Sequence, residues 1–207
     1  MSAALDYHRA TNVPARGTDE DEQRQIGDRP SPFKDYGAAE RVPLDASPAG
    51  PLLRDGAGVV RSVERRDYGG GTIHWRAYSS AGALFPVEAY VAAQDGLFSF
   101  DPLGLELVRV ADGDARAAVA EAAAAEAQTF VALTGIHSRT GWKYLERGYR
   151  HVWWDAGTML ANLLALAAAE GLSPRLYTAF VDEELNGALG VDGVQEFAVA
   201  VLGLGDS

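Results

Sequence analysis

One long helical pattern constrains this chain more than any other feature of its sequence. The spacing of apolar residues predicts a helix over residues 152–170, and Gly171 stands where a helix commonly ends. The helix carries few charges, and large side chains such as Trp153, Trp154 and Leu160 occupy most of its faces. A helix that is apolar all round lies in the centre of a domain or against a second subunit. Since a chain of 207 residues rarely surrounds such a helix alone, we expect a homodimer.

Shorter patterns before and after this helix predict a sheet. Residues 72–78 alternate with a period of two, and residues 96–101 and 106–110 are spaced as an antiparallel pair around Pro102 and Gly104. The other predicted strands cover residues 84–93, 129–134, 175–181 and 195–203, and the other predicted helices cover residues 114–127 and 182–188. This order of elements predicts an α+β domain with a central, mostly antiparallel sheet and flanking helices.

The first 57 residues have a different composition from the rest. Six of the nine prolines and the acidic run at residues 19–22 lie there, and no apolar periodicity continues for more than a few residues. Such a segment cannot bury enough surface to offset the entropy lost on ordering. We therefore expect residues 1–57 to form a Pro-rich, acidic, extended arm, either mobile or lying on a partner surface, and residues 58–207 to form the folded domain.

Charge and composition exclude several classes of function. The chain holds 29 acidic and 18 basic residues, and a net charge of -11 repels a phosphate backbone, so we expect no nucleic-acid partner. The absence of cysteine excludes disulfides and thiolate chemistry, and the four histidines show no metal-ligand spacing, so we predict no metal site. The longest apolar run, residues 159–169, is too short for a membrane span and no secretion signal is visible, so we expect a cytoplasmic protein.

Two short motifs could carry chemistry. The small residues Ser79, Ser80 and Gly82 precede a predicted buried strand, where a flat ligand could approach backbone N–H groups, although an ordinary turn has the same composition. Lys143 and Tyr144 could form a general acid–base unit, because an ammonium group favours ionisation of a nearby phenol. The same pair also fits a solvated loop beside a helix. Composition alone leaves both alternatives open.

Three polar residues interrupt the long helical pattern or border it. His151 and Asp155 are four residues apart and share a helix face, so they could act as a base and its orienting group or could make structural hydrogen bonds. Asn162 lies in an otherwise apolar stretch and predicts either a core hydrogen bond or a ligand contact. The sequence shows no phosphate loop, no dinucleotide fingerprint and no Gly-x-Ser-x-Gly elbow.

Taken together, these motifs resemble the nitroreductase-like flavoproteins, and most closely the SagB-type dehydrogenases that oxidise azoline rings in thiazole/oxazole-modified peptides. The likeness is carried by residues 7–11 with 32–36, residues 76–90, the pair Lys143 and Tyr144, and residues 149–163 with 189–205. The resemblance implies a nitroreductase-like fold with the long helix at a dimer interface, FMN as cofactor, and a peptide or small-molecule substrate. Biosynthetic complex partners are also implied.

The resemblance also assigns roles to single residues. It implies that Lys143 and Tyr144 are catalytic and move a proton during ring oxidation. The cofactor contacts that it implies are Arg76, Ser79, Ser80, Ala81, Gly82, Asn162 and Gly190.

One departure from the family pattern supports a second hypothesis. The Arg-Arg-Ser element whose arginine binds the FMN phosphate in the family is missing here, and only Arg61, Arg65 and Arg66 are available nearby as substitutes. A phosphate without a guanidinium partner loses hydrogen bonds worth roughly 1.5–3 kcal/mol each. The alternative is therefore a non-catalytic nitroreductase-fold scaffold, or a peptide-binding partner, that has lost FMN.

Overall fold

The computed structural model describes residues 2–13, 28–65 and 71–205, and every structural statement below refers to these residues. The strands are β1 Arg41–Pro43, β2 Val59–Glu64, β3 Thr72–Arg76, β4 Val87–Ala93, β5 Gly96–Asp101, β6 Glu106–Asp112, β7 Thr129–Gly135, β8 Arg175–Tyr177 and β9 Phe197–Leu204. The helices are α1 Ala3–Ala10, α2 Ala49–Ala57, α3 Arg116–Ala122, α4 His137–Tyr144, α5 Gly148–Ala169 and α6 Asp182–Leu189. Seven strands form an antiparallel sheet in the order β1-β6-β5-β4-β7-β9-β8, and β2 and β3 form a separate antiparallel hairpin. The predicted α+β fold is confirmed.

Helices cover both faces of the sheet because its central strands are apolar on both sides. Val87, Ala89 and Val91 of β4 belong to the core cluster that contains the buried side chains of α5. Tyr90 and Ala92 belong to a second cluster on the opposite face, with residues of α3 and α6. The alternation follows from the period of two along a strand. The result is a three-layer arrangement with α5 central in one layer.

The long helix α5 begins at Gly148, four residues before its predicted start, and ends at Ala169. Val152, Met159 and Leu163 are among the side chains that it buries against the sheet and α2. By length and composition alone, residues 137–169 could cross a membrane. The central helix of a folded domain meets the same criterion, and α5 packs the side chains named above into the core.

The expected extended conformation is wrong for the last part of the predicted arm. β1 pairs with β6 at the sheet edge, and α2 buries Leu52 and Leu53 beside α5. Proline obscured this helix in the sequence, but Pro51 lies in its first turn, where no backbone N–H is needed for an intrahelical bond. Residues 14–27 of the arm lie outside the described residues.

Other predicted elements differ from the observed ones at their ends. The strand predicted from residue 84 begins only at Val87, because a 3-10 turn, Ala81–Ala83, occupies the preceding residues. The helix predicted over 114–127 ends at Ala122, and Ala124 has a positive φ of 44° that stops it. The strand predicted over 175–181 pairs only as far as Tyr177.

Candidate functional site

The small-residue motif forms a sharply turned segment, residues 79–86, that we call the strand entrance because it leads into β4. Gly82 has φ +65°. Ala83 (φ +51°) and Phe85 (φ +46°) also have positive φ, which residues other than glycine rarely adopt. The Ser80 hydroxyl oxygen accepts the Phe85 N–H at 2.9 Å and helps to hold this backbone. Strained backbone of this kind persists only where its surroundings fix it.

Helix α5 fixes the strand entrance from one side. The Thr158 hydroxyl donates to the carbonyl of Ser79 at 3.1 Å. The Ser80 hydroxyl and the Ala81 N–H donate to the carboxyl of Asp155, which is 4% exposed. Its other oxygen, Oδ2, is buried and has no hydrogen-bond partner among the described residues. Burial therefore raises the pKa of Asp155 to about 6, and the two donated hydrogen bonds only partly oppose that rise.

Two of the residues expected to contact a cofactor also have structural roles. Asn162 donates its amide hydrogens to the carbonyls of Gly56, at 3.2 Å, and Ala77, at 3.1 Å, and so ties α5 to α2 and to the end of β3. Gly190, with φ +70°, is the left-handed residue that ends α6. Asn162 therefore makes core hydrogen bonds, which was one of the two alternatives. Contacts of Asn162 and Gly190 with a cofactor stay predictions.

Arg76 lies beneath Pro32 and Phe33, which precede the predicted folded domain. Its guanidinium is buried (5% exposed), donates to the carbonyl of Val87 at 3.2 Å and also donates to Pro32. It stacks between the rings of Phe33, at 5.5 Å, and Phe85, at 5.1 Å. These neighbours cover the guanidinium. A contact between Arg76 and a cofactor stays a prediction.

Residues 29–36, which we call the strap, cover the start of β4. Arg29 donates to the carbonyl of Ala83 at 2.7 Å, and Lys34 forms an ion pair with Glu196 at 2.7 Å. Glu196 also accepts hydrogen bonds from Tyr90, at 2.8 Å, and from a β7 threonine. Sequence reasoning missed this anchoring, because its partners are up to 162 residues apart.

A buried ion pair positions α4 against the strand entrance. Arg139 donates to the carbonyl of Phe85 at 2.8 Å and forms an ion pair with Glu88. The two residues are 4% and 1% exposed. The Arg139 charge therefore lies in the core beside its carboxylate partner. Lys143 and Tyr144, for which a solvated loop was the alternative, are the half-buried last residues of helix α4.

The predicted acid–base pair lies at the end of α4. The Lys143 ammonium is 5.5 Å from the centroid of the Tyr144 ring, and that ring stacks on His151 of α5 at 4.2 Å. Burial, with the nearby Arg147 cation, lowers the pKa of His151. Asp155, which was suggested as the orienting group for His151, has a carboxyl that accepts hydrogen bonds from the strand entrance. The structure thus places Lys143 and Tyr144 together, while their catalytic role stays a prediction.

The leading helix α1 supports the turn between α4 and α5. The Tyr7 hydroxyl donates to the carbonyl of Glu146 at 2.9 Å, Arg147 donates to Thr11, and Arg150 donates to His8. The ring of Tyr7 also meets Tyr149 edge-on. The described start of the predicted arm is therefore held against the loop that follows Tyr144.

An open cavity of about 270 Å³ lies along another side of α5. Its lining includes Trp153, Gly157, Leu160, Thr178, Phe180, Asp182 and Val199. With about 3.6 residues per turn, Trp153, Gly157 and Leu160 lie nearly opposite Asp155, Thr158 and Asn162, which hold the strand entrance. Within the described part of one chain, the cavity and the strand entrance are therefore separate.

The cavity suits the ring of a flavin better than its phosphate. Its walls are largely apolar, and a Cβ added at Gly157 would meet nothing within 4 Å, so a planar ring could approach α5 there. No lysine or arginine is among the described residues that line it, and Asp182 adds a negative charge. Of the suggested substitutes, Arg61 lies over the Trp75 ring in the β2–β3 hairpin, and Arg66 lies outside the described residues.

Comparison with known proteins identifies the family. Residues 52–206 match the model of the nitroreductase family. The chain belongs to this family. A protein named as a nitroreductase in Methanocaldococcus jannaschii is 28% identical over 144 residues, which cover 63% of this chain and 70% of the relative. The family expected from the sequence motifs is thus confirmed, whereas the SagB-type subgroup stays a prediction.

Several solved structures share the fold. A structure from Anabaena variabilis has a TM-score of 0.88 and 28% identity, and this chain matches it over its full length while spanning 46% of the other chain. A chain of the E. coli microcin synthetase McbBCD complex with truncated pro-MccB17 bound has a TM-score of 0.66 and 19% identity, with 100% of this chain and 82% of that chain covered. A Ralstonia eutropha structure has a TM-score of 0.63 and 19% identity over 94% of this chain and 85% of the other.

Proposed function

We propose that this protein is a cytoplasmic, FMN-dependent oxidoreductase that works as a homodimer. We further propose a SagB-type activity, the oxidation of azoline rings in a modified peptide or a related substrate. The observation that carries the proposal is the placement of the strand entrance and the cavity on either side of the exposed face of α5. Members of this family are typically flavin-dependent, and a largely apolar cavity suits the ring of such a cofactor.

The exposed face of α5 favours a second copy of the chain as its partner. Trp154, Gly157, Thr158, Ala161 and Ala165 are exposed along it and carry no charge. Small side chains allow another helix to approach closely. Because this face lies between the cavity and the strand entrance, pairing about a two-fold axis parallel to α5 would bring each strand entrance towards the cavity of the partner. A complete cofactor site would then need both protomers.

The proposed reaction removes one hydride and one proton from the azoline ring. When bound, FMN supplies the two-electron acceptor for the hydride. Ser80 and Gly82 of the strand entrance would hold the ring through backbone contacts. The Tyr144 phenolate would act as the base that takes the proton and becomes a neutral phenol, and Lys143, 5.5 Å from the phenol ring, would stabilise the negative charge of the phenolate before the transfer.

Flavin binding and turnover test the proposal separately. Purified protein should show flavin absorbance, or acquire it when mixed with FMN, and should oxidise an azoline-containing peptide. Lys143→Ala and Tyr144→Phe should keep the absorbance and lose turnover. Full turnover in both variants would remove the catalytic role of the pair. Protein that retains no flavin absorbance after excess FMN has been removed would refute the flavoenzyme.

The oligomer has its own test. Ala161→Glu places a charge in the middle of the exposed face of α5 and should convert a dimer into a monomer in light scattering after size exclusion. Ala118→Glu makes the same change at an exposed position of α3 and should leave the dimer intact. A wild-type monomer at all concentrations would contradict the dimer.

A non-catalytic scaffold or peptide-binding partner that has lost FMN is the second candidate function. It is favoured by the missing Arg-Arg-Ser element and by the absence of lysine and arginine from the described lining of the cavity. The fold also occurs in the microcin synthetase complex with truncated pro-MccB17 bound, so a place in a biosynthetic complex fits both candidates.

Comparing riboflavin with FMN separates the two candidates. If a flavin binds through its ring alone, the two affinities should be equal within about threefold. A preference for FMN of tenfold or more, about 1.4 kcal/mol, would show that a cation reaches the phosphate and would count against the scaffold. Binding of neither flavin would leave the scaffold as the function.

A further inference from the structure

A second and larger cavity lies on the far side of Trp153. Its volume is about 560 Å³, and its lining includes His137, Tyr149, Trp153, Asp182, Asn186, Val194 and Phe197. We call it the aromatic cavity. Its wall is a cluster of three rings, in which Tyr149 is 5.9 Å from Trp153 and 6.0 Å from Phe197, and Trp153 is 6.3 Å from Phe197.

Two of the three rings in this wall are partly exposed. Tyr149 and Trp153 are 40% and 42% exposed, although both belong to a helix whose other side is in the core. Exposed aromatic faces of this size commonly mark a binding surface. They attract planar rings by stacking, and they attract cations through the negative face of the π system.

The polar groups of the cavity define the ligand further. The buried Nε2 of His137 has no hydrogen-bond partner among the described residues, and its ring lies 6.3 Å from that of Tyr149. Because this atom is buried and its ring lies against Gly141, a ligand in the open cavity meets the edge of the His137 ring and not Nε2. The side-chain oxygen of Asn186 is already used, since it accepts the N–H of Ala198 at 2.8 Å.

The charge at the cavity is negative. Asp182 lines it and begins α6, and Glu183 and Glu184 follow in the same first turn. No lysine or arginine is among the described residues that line the cavity. Together with the net charge of -11, this arrangement favours a cationic ligand and disfavours an anionic one.

We propose that the aromatic cavity binds a ligand that joins an aromatic ring to a positive charge, such as an aromatic amine or a peptide segment with adjacent aromatic and basic residues. The ring stacks on Trp153 and Tyr149, and the cation lies at the Asp182 carboxylate. The proposal rests on side chains of this chain and not on a bound flavin.

Small probes test each part of the proposal on the full-length protein. Tyramine carries both the ring and the cation, 3-(4-hydroxyphenyl)propionate carries the ring with an anion, and butylamine carries the cation alone. In calorimetric titrations, tyramine should bind at least tenfold more tightly than either of the other two. Equal affinity for tyramine and the propionate would refute the role of Asp182, and with it the proposal.

Two variants and one matched control locate the site. Asp182→Asn should weaken tyramine binding by about tenfold, the loss of one charge-assisted contact. Glu183→Gln removes the same charge from an exposed neighbour outside the cavity lining and should stay within twofold of wild type. Trp153→Leu should also weaken binding about tenfold, with thermal melting used to confirm that the variant is folded.

Two further results would overturn the proposal. One is unchanged tyramine affinity in a folded Trp153→Leu variant. The other is a wild-type dimer that binds no tyramine and becomes monomeric with this substitution, which would show that a second copy covers the rings.

Discussion

The buried carboxyl of Asp155 should make the stability of this protein fall as pH rises. A carboxyl ordinarily titrates near 3.8, and burial raises the pKa of Asp155 to about 6 in the folded protein. The folded state therefore holds this proton more tightly than the unfolded state does. The stabilising contribution is fully present below pH 3.8 and is lost as pH rises through 6.

The size of the effect follows from the shift. The difference between 3.8 and about 6 corresponds to roughly 3 kcal/mol across the whole titration, at about 1.36 kcal/mol per pKa unit. Most of the loss falls at acidic pH, and the part that remains between pH 5 and pH 8 is about 1.4 kcal/mol. The unpartnered Oδ2 explains how both charge states fit the site: it can carry the proton while Ser80 and Ala81 keep their hydrogen bonds to the other oxygen.

Asp155→Asn isolates this contribution, because asparagine has the shape of the protonated acid and cannot ionise. Urea unfolding, followed by tryptophan fluorescence, should show the stability of the variant gaining about 1.4 kcal/mol on wild type between pH 5 and pH 8. Asp45→Asn, at an exposed carboxylate, should show no such trend. A difference between Asp155→Asn and wild type that is constant over this range would refute the reasoning.

Three further substitutions test the packing around the strand entrance. Glu88→Gln leaves the buried Arg139 cation without its carboxylate and should cost about 3 kcal/mol in unfolding free energy; a loss below 1 kcal/mol would show that the charge is compensated elsewhere. Gly148→Ala puts a Cβ 2.6 Å from a backbone nitrogen of α4 and should lower stability by about 1–3 kcal/mol, whereas Gly157→Ala, with open space, should change thermal melting little. Lys34→Met removes the ammonium that anchors the strap and should speed proteolysis within residues 29–36; an unchanged rate would contradict that anchoring.

Elements with a strong local signal could be predicted from the sequence. The long helix α5 was predicted because apolar side chains occupy most of its faces and Gly171 follows it. The β5–β6 hairpin was predicted because two apolar strands flank a turn that contains Pro102 and Gly104. In contrast, α2 was missed for two reasons. Its first-turn proline suggested irregular structure, and its burial depends on α5, which is distant in sequence.

The parts of the candidate site that could not be predicted depend on contacts between distant residues. Glu88 and Arg139 are 51 residues apart, and nothing near either residue in the sequence shows that both are buried. The same holds for Lys34 and Glu196. The unpartnered oxygen of Asp155 is a property of the packed core, so its raised pKa could be found only from the structure. Lys143 and Tyr144 were readable only as a motif, which gives their chemistry but not their neighbours.

The placement of α5 supports the proposal that the cofactor site is built from two chains. The face centred on Val152, Met159 and Leu163 is used by the core, so only the remaining surface of the helix can serve other purposes. One edge of that surface holds the strand entrance through Asp155, and the other edge opens into the cavity at Gly157. A rigid helix cannot bring its own opposite edges together, but in the proposed dimer a two-fold axis parallel to α5 would bring each edge towards the opposite edge of the partner. Dimerisation and cofactor binding should therefore be lost together when that face is charged.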